Sequence, residues 1–489
     1  MAVACGHGFT VLVTEQGDVW ACGRGNSGQL GLGDNAHQLL PASVGGREVF
    51  AGEPLVMMAT GRRHTAGVTK DGALWSWGEG YHGQLGHGDR APRQRPERLD
   101  REMFGGSPAV MVACGGMHTI VLTDVGCVWS CGLGDDGRLG HGNQADQLML
   151  ALVASDQFRG AHIVMVAAGR DHSMALDADG SVWTWGYGNQ GQLGLNDEQH
   201  RLLPTKLDCK VLGGAAAVLV AGGYAHTVAV TVGGALWIWG NGFYGQLGLG
   251  DKHNRMVPVR VGAEGSFGES QVLMAACGNV YTLAVTKAGT LWAWGKGAFG
   301  KLGHNDENNR LVPTQVEAQH FGYAKIVSAA AGVTHTAAIT EHGTLYTWGK
   351  GSHVKLGGGE GEVPGGLGHC ACDTKLVPTL VAMLQGVRVG RCHGLPPMHA
   401  LAFAMGNHPR LGRAAQIAPA VAVCCSVLQC VPAVAPASAD NGTDCEYVSM
   451  PGELVQRIVE ACGGVSLEGV VRLLGGGMLN EGMPTCTSN

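Results

Sequence analysis

A phrase built on Trp-x-Trp-Gly, followed five residues later by Gln-Leu-Gly, recurs with small variations along the whole N-terminal part of this chain. Successive copies lie 54 or 55 residues apart, and a fixed period of this length is typical of repeat architectures. The 489-residue length alone suggests about three domains. The repeat instead predicts one ring or solenoid in which each unit buries its apolar face against its neighbours. The seven glycines that end the Trp-x-Trp-Gly phrase are Gly23, Gly78, Gly132, Gly186, Gly240, Gly295 and Gly349.

Each repeat carries landmarks that predict four short strands. A Gly-x-x-His-Thr segment comes first, then a glycine turn, then the Trp-Gly strand, and then a proline 18 residues after the phrase glycine. Alternating apolar residues around a glycine turn indicate a β-hairpin, and we expect a fourth strand to follow the proline, as at 257–261. Seven four-stranded units of about 54 residues predict an all-β, seven-bladed β-propeller, whose radial repetition leaves only short sheet edges.

The repeated histidines and tryptophans are predicted to be structural. The histidines stand one per blade, so they cannot converge on one zinc ion, and we expect no metal. The tryptophans should wedge between blades, with an indole N–H that needs a partner. Phe9 and Tyr281 take the histidine position in the first and sixth repeats. The predicted structural residues are His64, His118, His172, His226, His335, Trp77, Trp185, Trp239, Trp294 and Trp348.

The repeat stops near residue 405, which predicts three regions. Residues 1–405 form the propeller, with a degenerate strand at 396–404 that contributes to ring closure. Residues 406–449 are rich in Ala, Pro and Val and predict a disordered linker. Residues 450–489 predict a short helical tail, because Leu454, Val455, Ile458 and Val459 recur at helical spacing.

Composition and charge disfavour several functional classes. The net charge is −6 and no Lys/Arg run exceeds Arg62-Arg63, whereas a polyanion binder needs a basic stripe. Neither a signal peptide nor an uninterrupted membrane span is predicted. The 16 cysteines therefore indicate reduced thiols. We expect a cytoplasmic protein, with a nuclear one as the alternative, and no membrane partner.

The combination of Gly-x-x-His-Thr, Trp-x-Trp-Gly and Gly-Gln-Leu-Gly over residues 1–405 resembles the regulator of chromosome condensation repeat family. The resemblance implies a seven-bladed propeller that needs no cofactor to fold. The family includes an exchange factor for the Ran GTPase, a plant ultraviolet-B photoreceptor and propellers attached to ubiquitin ligases. Fold alone does not select among these functions.

Two family functions lack their expected sequence features here. The exchange factor uses a hairpin wedge in an early blade, but the second and third repeats have standard lengths. The photoreceptor senses light through tryptophans that directly follow the glycine of Gly-x-x-His-Thr. The corresponding residues are His7, Arg62, Gly116, Arg170, Tyr224, Asn279 and Val333.

Charged residues outside these landmarks divide into two groups. An Asp seven residues before the proline and an Arg three before it recur in most repeats, and we expect a turn cap or an ion pair within each blade. The residues predicted to bind a partner are Arg62, Arg63, Arg170, Asp171, Glu360 and Glu362, with solvated loop charges as the alternative.

The seventh repeat departs from the pattern, since its phrase glycine and proline are 29 residues apart instead of 18. We assign the extra residues to 357–368. An insertion in a regular array is either a binding decoration or a tolerated loop. His369, Cys370 and Cys372, with Cys392 and His393, could bind zinc, but their spacing does not match a zinc knuckle, which favours free thiols.

No catalytic residue and no cofactor are predicted. The sequence favours a non-enzymatic scaffold that binds proteins through one loop face. A guanine nucleotide exchange factor for a small GTPase is the first alternative. The second is a ubiquitin-ligase adaptor, because the start of the tail, from Pro451 to Ile458, faintly resembles an F-box. A helix that packs on the propeller or pairs with itself is the favoured explanation of this segment.

Overall fold

The computed structural model describes residues 3–262, 266–268, 270–354, 362–364, 367–369 and 373–384. The predicted strand at 396–404, the linker and the helical tail lie outside the described residues. Within those residues the chain forms seven four-stranded sheets and one two-stranded hairpin. The prediction of an all-β, seven-bladed propeller is confirmed.

The strands of blades 1 to 4 are β1 Val3–Cys5, β2 Phe9–Val13, β3 Val19–Gly23, β4 Gln38–Gly45, β5 Leu55–Thr60, β6 His64–Thr69, β7 Leu74–Gly78, β8 Arg93–Leu99, β9 Ala109–Cys114, β10 His118–Thr123, β11 Val128–Gly132, β12 Gln147–Val153, β13 Ile163–Ala168, β14 His172–Asp177, β15 Val182–Gly186 and β16 Arg201–Lys206.

Those of blades 5 to 7 are β17 Ala217–Gly222, β18 His226–Thr231, β19 Leu236–Gly240, β20 Arg255–Arg260, β21 Val272–Cys277, β22 Tyr281–Thr286, β23 Leu291–Gly295, β24 Arg310–Gln315, β25 Ile326–Ala331, β26 His335–Thr340, β27 Leu345–Gly349 and β30 Lys375–Leu380, with the hairpin β28 Ser352–Val354 and β29 Glu362–Pro364. Short 3-10 helices cover Arg101–Phe104, Asp135–Gly137, Ser155–Phe158, Cys209–Leu212, Ala298–Gly300, Ala318–Phe321 and Ala382–Leu384.

Each blade is an antiparallel meander whose four strands come from one sequence repeat. In the described part of the chain no strand is exchanged between blade 1 and blade 7. Instead, β1 packs beside β25 and β26. The ring is therefore closed here by side-chain contacts, including a 2.9 Å hydrogen bond between His335 Nε2 and Thr10 Oγ1.

The fourth strand of each blade is an outer edge strand. The structure corrects its predicted position, because Pro258 lies inside β20 (Arg255–Arg260) and does not precede it. A proline cannot donate to a sheet ladder, but an outer edge has no neighbour that needs the N–H. The second strand is the opposite case, since all six residues of β6 are buried.

One backbone carbonyl per blade organises the interface with the next blade. It belongs to the residue before Leu-Gly in the loop phrase, and in blades 1, 3, 4, 5 and 6 it accepts the indole N–H of the next blade's tryptophan at 2.9–3.1 Å. In blade 2 the Gln84 carbonyl instead lies 3.7 Å from Cys131 Sγ, because Cys131 takes the tryptophan position in blade 3. The five tryptophans are buried, and each has a hydrogen-bond partner. The pairs are Trp77 with Gln29, Trp185 with Arg138, Trp239 with Gln192, Trp294 with Gln246 and Trp348 with Lys301.

The same carbonyls accept a second bond from the hydroxyl of the His-Thr or His-Ser pair. Thr227 Oγ1, for example, donates to the Gln192 carbonyl at 2.8 Å. That hydroxyl then has no proton left for the histidine of the preceding blade, 2.9 Å away. His172 therefore donates from Nε2, which fixes its tautomer.

Histidine–hydroxyl bonds of this kind link the blades in a ring. They measure 2.9–3.1 Å and join His64 to Thr119, His118 to Ser173, His172 to Thr227, His226 to Thr282 and His335 to Thr10. Tyr281 supplies the bond of blade 6: its hydroxyl donates to the His335 carbonyl at 2.6 Å and lies 2.9 Å from Thr336 Oγ1. Phe9 has no polar atom, so this bond is missing between blades 1 and 2. The five histidines are buried between the blades.

The closing bond of the ring can be tested with a matched pair of variants. We expect His335→Tyr to keep most of the stability, because Tyr281 makes the equivalent bond from the same position. His335→Phe, which lacks only the hydroxyl, should lower the free energy of unfolding by about 1–3 kcal/mol relative to His335→Tyr. Urea denaturation followed by tryptophan fluorescence measures both. Equal stability of the two variants would show that the hydrogen bond does not hold the closure.

Candidate functional site

Two loops of every blade lie on the same face of the propeller. The registers pair Phe9 with Gly23, His64 with Gly78 and His335 with Gly349. The start of each second strand therefore lies beside the end of the third. We call the side formed by the loops between first and second strands and between third and fourth strands the mouth face. The tight turns between second and third strands and the connections between blades form the opposite face.

The first loop of each blade begins with a glycine that crowding requires. A Cβ on Gly61 would lie 2.3 Å from His64 Cε1 and 2.4 Å from the Gly115 carbonyl oxygen. Backbone bonds also join neighbouring loops, as where Gly116 N donates to the Arg170 carbonyl at 2.8 Å. The residue after each glycine is thereby held at the central opening.

These residues surround a cavity of about 280 Å³, which we call the channel mouth. The photoreceptor positions singled out in the sequence thus lie together. Below them the first strands line an apolar cavity of about 230 Å³, with Met57, Met111, Met165 and Met274 in its wall. The side chains around the mouth are His7, Arg62, Arg170, Tyr224, Asn279 and Val333.

Cations from three adjacent blades collect on one side of the channel mouth. Arg24 of blade 1, Arg62 and Arg63 of blade 2 and Lys350 of blade 7 form what we call the cationic arc. All four act on His7, whose pKa falls to about 4 through burial first and then through their positive charges. Burial, Arg63 and Arg62 likewise lower the pKa of Arg24.

Most of the arc has no carboxylate partner. Arg63 pairs with Glu79 at 3.1 Å, but within the described residues Arg24, Arg62 and Lys350 form no ion pair. The Nε atoms of Arg24 and Arg63 are buried and have no hydrogen-bond partner in the same part of the chain. A buried donor without an acceptor is costly.

The fourth strands carry the Arg–Asp ion pairs that the sequence predicted. The Arg three residues before the proline contacts the Asp four residues earlier at 2.5–2.9 Å in four blades. The pairs are Arg93 with Asp89, Arg201 with Asp197, Arg255 with Asp251 and Arg310 with Asp306. These partly exposed pairs each contribute little to stability. Each pair forms within one blade, whereas the cations of the arc come from three blades.

The other predicted binding residues lie apart from the arc or outside the described residues. Asp171 accepts from Arg138 at 2.6 Å, and Arg170 stacks on Tyr224 at 4.3 Å, so this side of the mouth is charge-balanced. Glu360 lies outside the described residues. Glu362 belongs to β29, and its side chain is not described. Partner binding by these six residues remains a prediction.

The insertion in blade 7 lies on the mouth face, but its predicted position needs correction. Thr347 Oγ1 donates to the Leu367 carbonyl at 2.5 Å, as Ser130 Oγ donates to the Leu139 carbonyl at 2.8 Å in blade 3. Leu367 and Gly368 are therefore the Leu-Gly of the seventh loop phrase. The extra residues precede them and include the β28–β29 hairpin.

The cysteine-rich segment after this loop offers no metal group in the described part of the chain. Cys370, Cys372, Cys392 and His393 lie outside the described residues. His369 lies 3.0 Å from Thr347 Oγ1 within its own blade. Burial also raises the pKa of Cys5 and Cys114 to about 12, which keeps both thiols protonated and unreactive.

Sequence reasoning missed Arg24, Lys350 and His7 as members of the site. Arg24 and Lys350 directly follow the phrase glycines Gly23 and Gly349. His7 stands where Arg62 stands in the second repeat. A charge map drawn on the aligned repeats could have found all three. The predicted seven-bladed ring also places blades 7, 1 and 2 side by side, so the grouping of these residues followed from the fold.

The fold and the channel mouth define a β-propeller of the regulator of chromosome condensation type. The RCC1-like domain matches residues 101–414, and the regulator of chromosome condensation (RCC1) repeat matches residues 2–29, 16–68 and 71–122. The chain belongs to this family. Among the described residues no helix is long and apolar enough to cross a membrane.

Several known proteins resemble this chain. It is 38% identical to the ultraviolet-B receptor UVR8 of Arabidopsis thaliana over 306 residues, or 62% of this chain and 67% of that protein. It is 31% identical to the human E3 ubiquitin-protein ligase HERC2 over 405 residues, 83% of this chain but only 8% of HERC2. The structure of Saccharomyces cerevisiae Prp20p superposes with a TM-score of 0.63 at 24% identity, covering 74% of this chain and 85% of that one.

The ring histidines are neutral in the folded protein. Burial lowers the pKa of His64, His226 and His335 to about 4 and of His172 to about 3. Unfolded histidines titrate near a pKa of about 6.5. The unfolded chain therefore binds more protons between these values, and stability is fully present above pH 6.5 and declines as the pH falls toward 4.

We expect the free energy of unfolding to fall between pH 6.5 and 5, with each ring histidine contributing up to about 1.4 kcal/mol per pH unit. Urea denaturation at several pH values measures the slope. His335→Tyr should reduce the slope by close to one proton, whereas changing His253, whose side chain is 81% exposed, to Gln should not. A stability independent of pH over this range would contradict the burial of neutral histidines.

Proposed function

We propose that the chain is a non-enzymatic protein-binding propeller and that its partner docks on the mouth face. One observation carries the proposal: this face combines cations that have no carboxylate partner with exposed aromatic side chains. Arginine and aromatic residues are the side chains most enriched at energetically important interface positions.

Aromatic side chains extend the mouth face beyond the arc. Tyr224 at the mouth and Phe243 in a loop of blade 5 are 41% and 64% exposed. Lys296 lies 4.4 Å from the ring centre of Tyr244, and Lys350 lies 4.5 Å from that of Phe299. These stacked pairs hold cations in place without neutralising them, which leaves a preorganised surface for a partner.

The proposal can be tested with two double variants that each remove exposed side chains from one face. Arg62→Ala/Tyr224→Ala changes the mouth face, and Lys70→Ala/Lys287→Ala changes turns of the opposite face. We expect proximity labelling with mass spectrometry to show partners of the full chain reduced about tenfold in the first variant and retained in the second. Partners lost only from the second variant would place binding on the opposite face and overturn the proposal.

Regulation of a small GTPase is the alternative that a specific observation favours. The chain shares its fold with Prp20p, whose binding properties toward Gsp1p and histones have been described. An exchange factor should bind the nucleotide-free GTPase more tightly than the loaded form and should accelerate nucleotide release. A scaffold should do neither. These assays on a GTPase recovered with the full chain separate the two functions.

A ubiquitin-ligase adaptor is the third possibility. Similarity to a segment of HERC2 shows a shared propeller, and the adaptor hypothesis depends on residues 450–474, outside the described residues. Deletion of that segment should remove cullin-type subunits from the recovered proteins if the chain is an adaptor, and should leave them unchanged if it is a scaffold.

A further inference from the structure

We propose that the cationic arc is a docking site for an acidic, extended segment of a protein partner, whose carboxylates bind Arg24, Arg62, Arg63 and Lys350. The inference rests on the proposed function and adds to it the chemistry of the partner and the side of the mouth that binds it.

The arc gathers positive charge that the chain itself leaves uncompensated. Arg62 lines the channel mouth together with His7, and the backbones of Arg24 and Lys350 bond to Gly8 and Thr334 in the mouth loops of their own blades. Glu79 is the only carboxylate paired with any cation of the arc within the described residues. The whole chain is acidic, with a net charge of −6, so this is a local exception. Like charges held together repel each other, and an anion that bridges them removes the repulsion.

The backbone holds three of these side chains at fixed positions on the mouth face. Arg24 N donates to the Gly8 carbonyl at 2.8 Å, and Lys350 N donates to the Thr334 carbonyl at 2.9 Å. In blade 2 the Arg63 carbonyl accepts from Glu79 N at 2.9 Å. Each of these bonds joins the third strand's end to the mouth loop of the same blade. The guanidinium groups are therefore carried on a rigid rim, which reduces the entropy lost on binding.

Unused donors make carboxylates the matching acceptors. Arg24 and Arg63 each bury an Nε–H without a partner among the described residues. A carboxylate can accept two N–H groups of one guanidinium at once. Arg62 lies at the rim of the cavity of about 280 Å³, and the other three side chains of the arc are half-buried beside it.

The extent of the arc argues against nucleic acid as the occupant. The arc covers three of the seven blades, and on the blade 4 side Arg170 and Arg138 are paired with Asp171. A duplex binds through a long row of phosphate contacts, which this face does not offer. A peptide with a few carboxylates matches both the number and the spread of the cations.

The experiment uses the full chain and a fluorescent peptide of about twelve residues in which about six Asp or Glu alternate with Ser, long enough to cross the arc when extended. Fluorescence anisotropy gives its Kd at about 50 mM and 300 mM NaCl, conditions that differ strongly in screening. A peptide with Asn and Gln in place of the acids and a single-stranded oligonucleotide of equal charge serve as comparison probes.

We expect the acidic peptide to bind, the amide peptide not to bind, and the Kd to rise with salt. The Arg62→Ala/Lys350→Ala variant should weaken binding by about tenfold or more, whereas Lys70→Ala/Lys287→Ala on the opposite face should change it less than about twofold. Circular dichroism and thermal unfolding establish that both variants fold. If Arg62→Ala/Lys350→Ala does not fold, Arg62→Gln alone, with an expected loss of about threefold or more, takes its place.

Three results would overturn the inference: no peptide binding, equal binding by the arc variant, or tighter binding of the oligonucleotide. If the peptide fails to bind while Arg62→Ala/Tyr224→Ala still loses its cellular partners, the acidic-segment inference falls and the proposed function stands. If the peptide binds through the arc but no cellular partner depends on the mouth face, the proposed function falls instead.

Discussion

The backbone carbonyl that precedes Leu-Gly in each loop phrase is the contact on which the rest of this propeller depends. At Gln192 it accepts both the Trp239 indole N–H and the Thr227 hydroxyl of the next blade. Because both lone pairs are used, neither donor is left unsatisfied in a dry interface, where an unpaired polar group is costly. Because the Thr227 hydroxyl donates its proton to this carbonyl, it can only accept from His172. This determines that Nε2 of His172 carries the proton. One carbonyl thus couples the loop, the wedge and the ring.

This dependence explains why the fold could be predicted from sequence. Tryptophan, threonine, histidine and the loop phrase each recur because their hydrogen-bond partners recur in the adjacent repeat. The repeat period is therefore enough to predict the propeller. The aromatic residue that packs against each tryptophan was missed. Phe158, for example, lies 5.9 Å from Trp185, ring centre to ring centre. It follows the phrase glycine by 26 or 27 residues, with Leu212 in its place in blade 4, so the same repeat period contains it.

Two blades show how a changed residue alters the local structure without altering the fold. In blade 4 the Gln192 side chain accepts the backbone N–H of Gln190. Arg138 and Lys301 replace this glutamine in blades 3 and 6 and have no acceptor to offer. There Asp136 and Phe299 take positive φ angles of 59° and 67°, and Gln144 and Glu307 accept their N–H groups instead. The backbone carbonyls of Arg138 and Lys301 still hold the tryptophans, since that contact does not depend on side-chain identity. Such compensation involves loop residues at variable spacing, which a sequence pattern does not reveal.

Each repeat contains residues that hold the blades together and residues that face the channel mouth, and only the second group can bind a partner. The repeated histidines, hydroxyl residues and tryptophans are buried and form hydrogen bonds between blades, so they are not available to a partner. The residue after the first glycine of Gly-x-x-His and the residue after the Trp-Gly glycine have backbones that are fixed by hydrogen bonds between loops. Their side chains can vary without cost to the fold. A chain that is 38% identical to UVR8 over 306 residues can therefore present different side chains on its mouth face. In this chain those positions hold Arg24, Arg62 and Lys350. Only ring closure brings the last of them beside the first two, so the closing His335–Thr10 bond supports the arc as well as the fold.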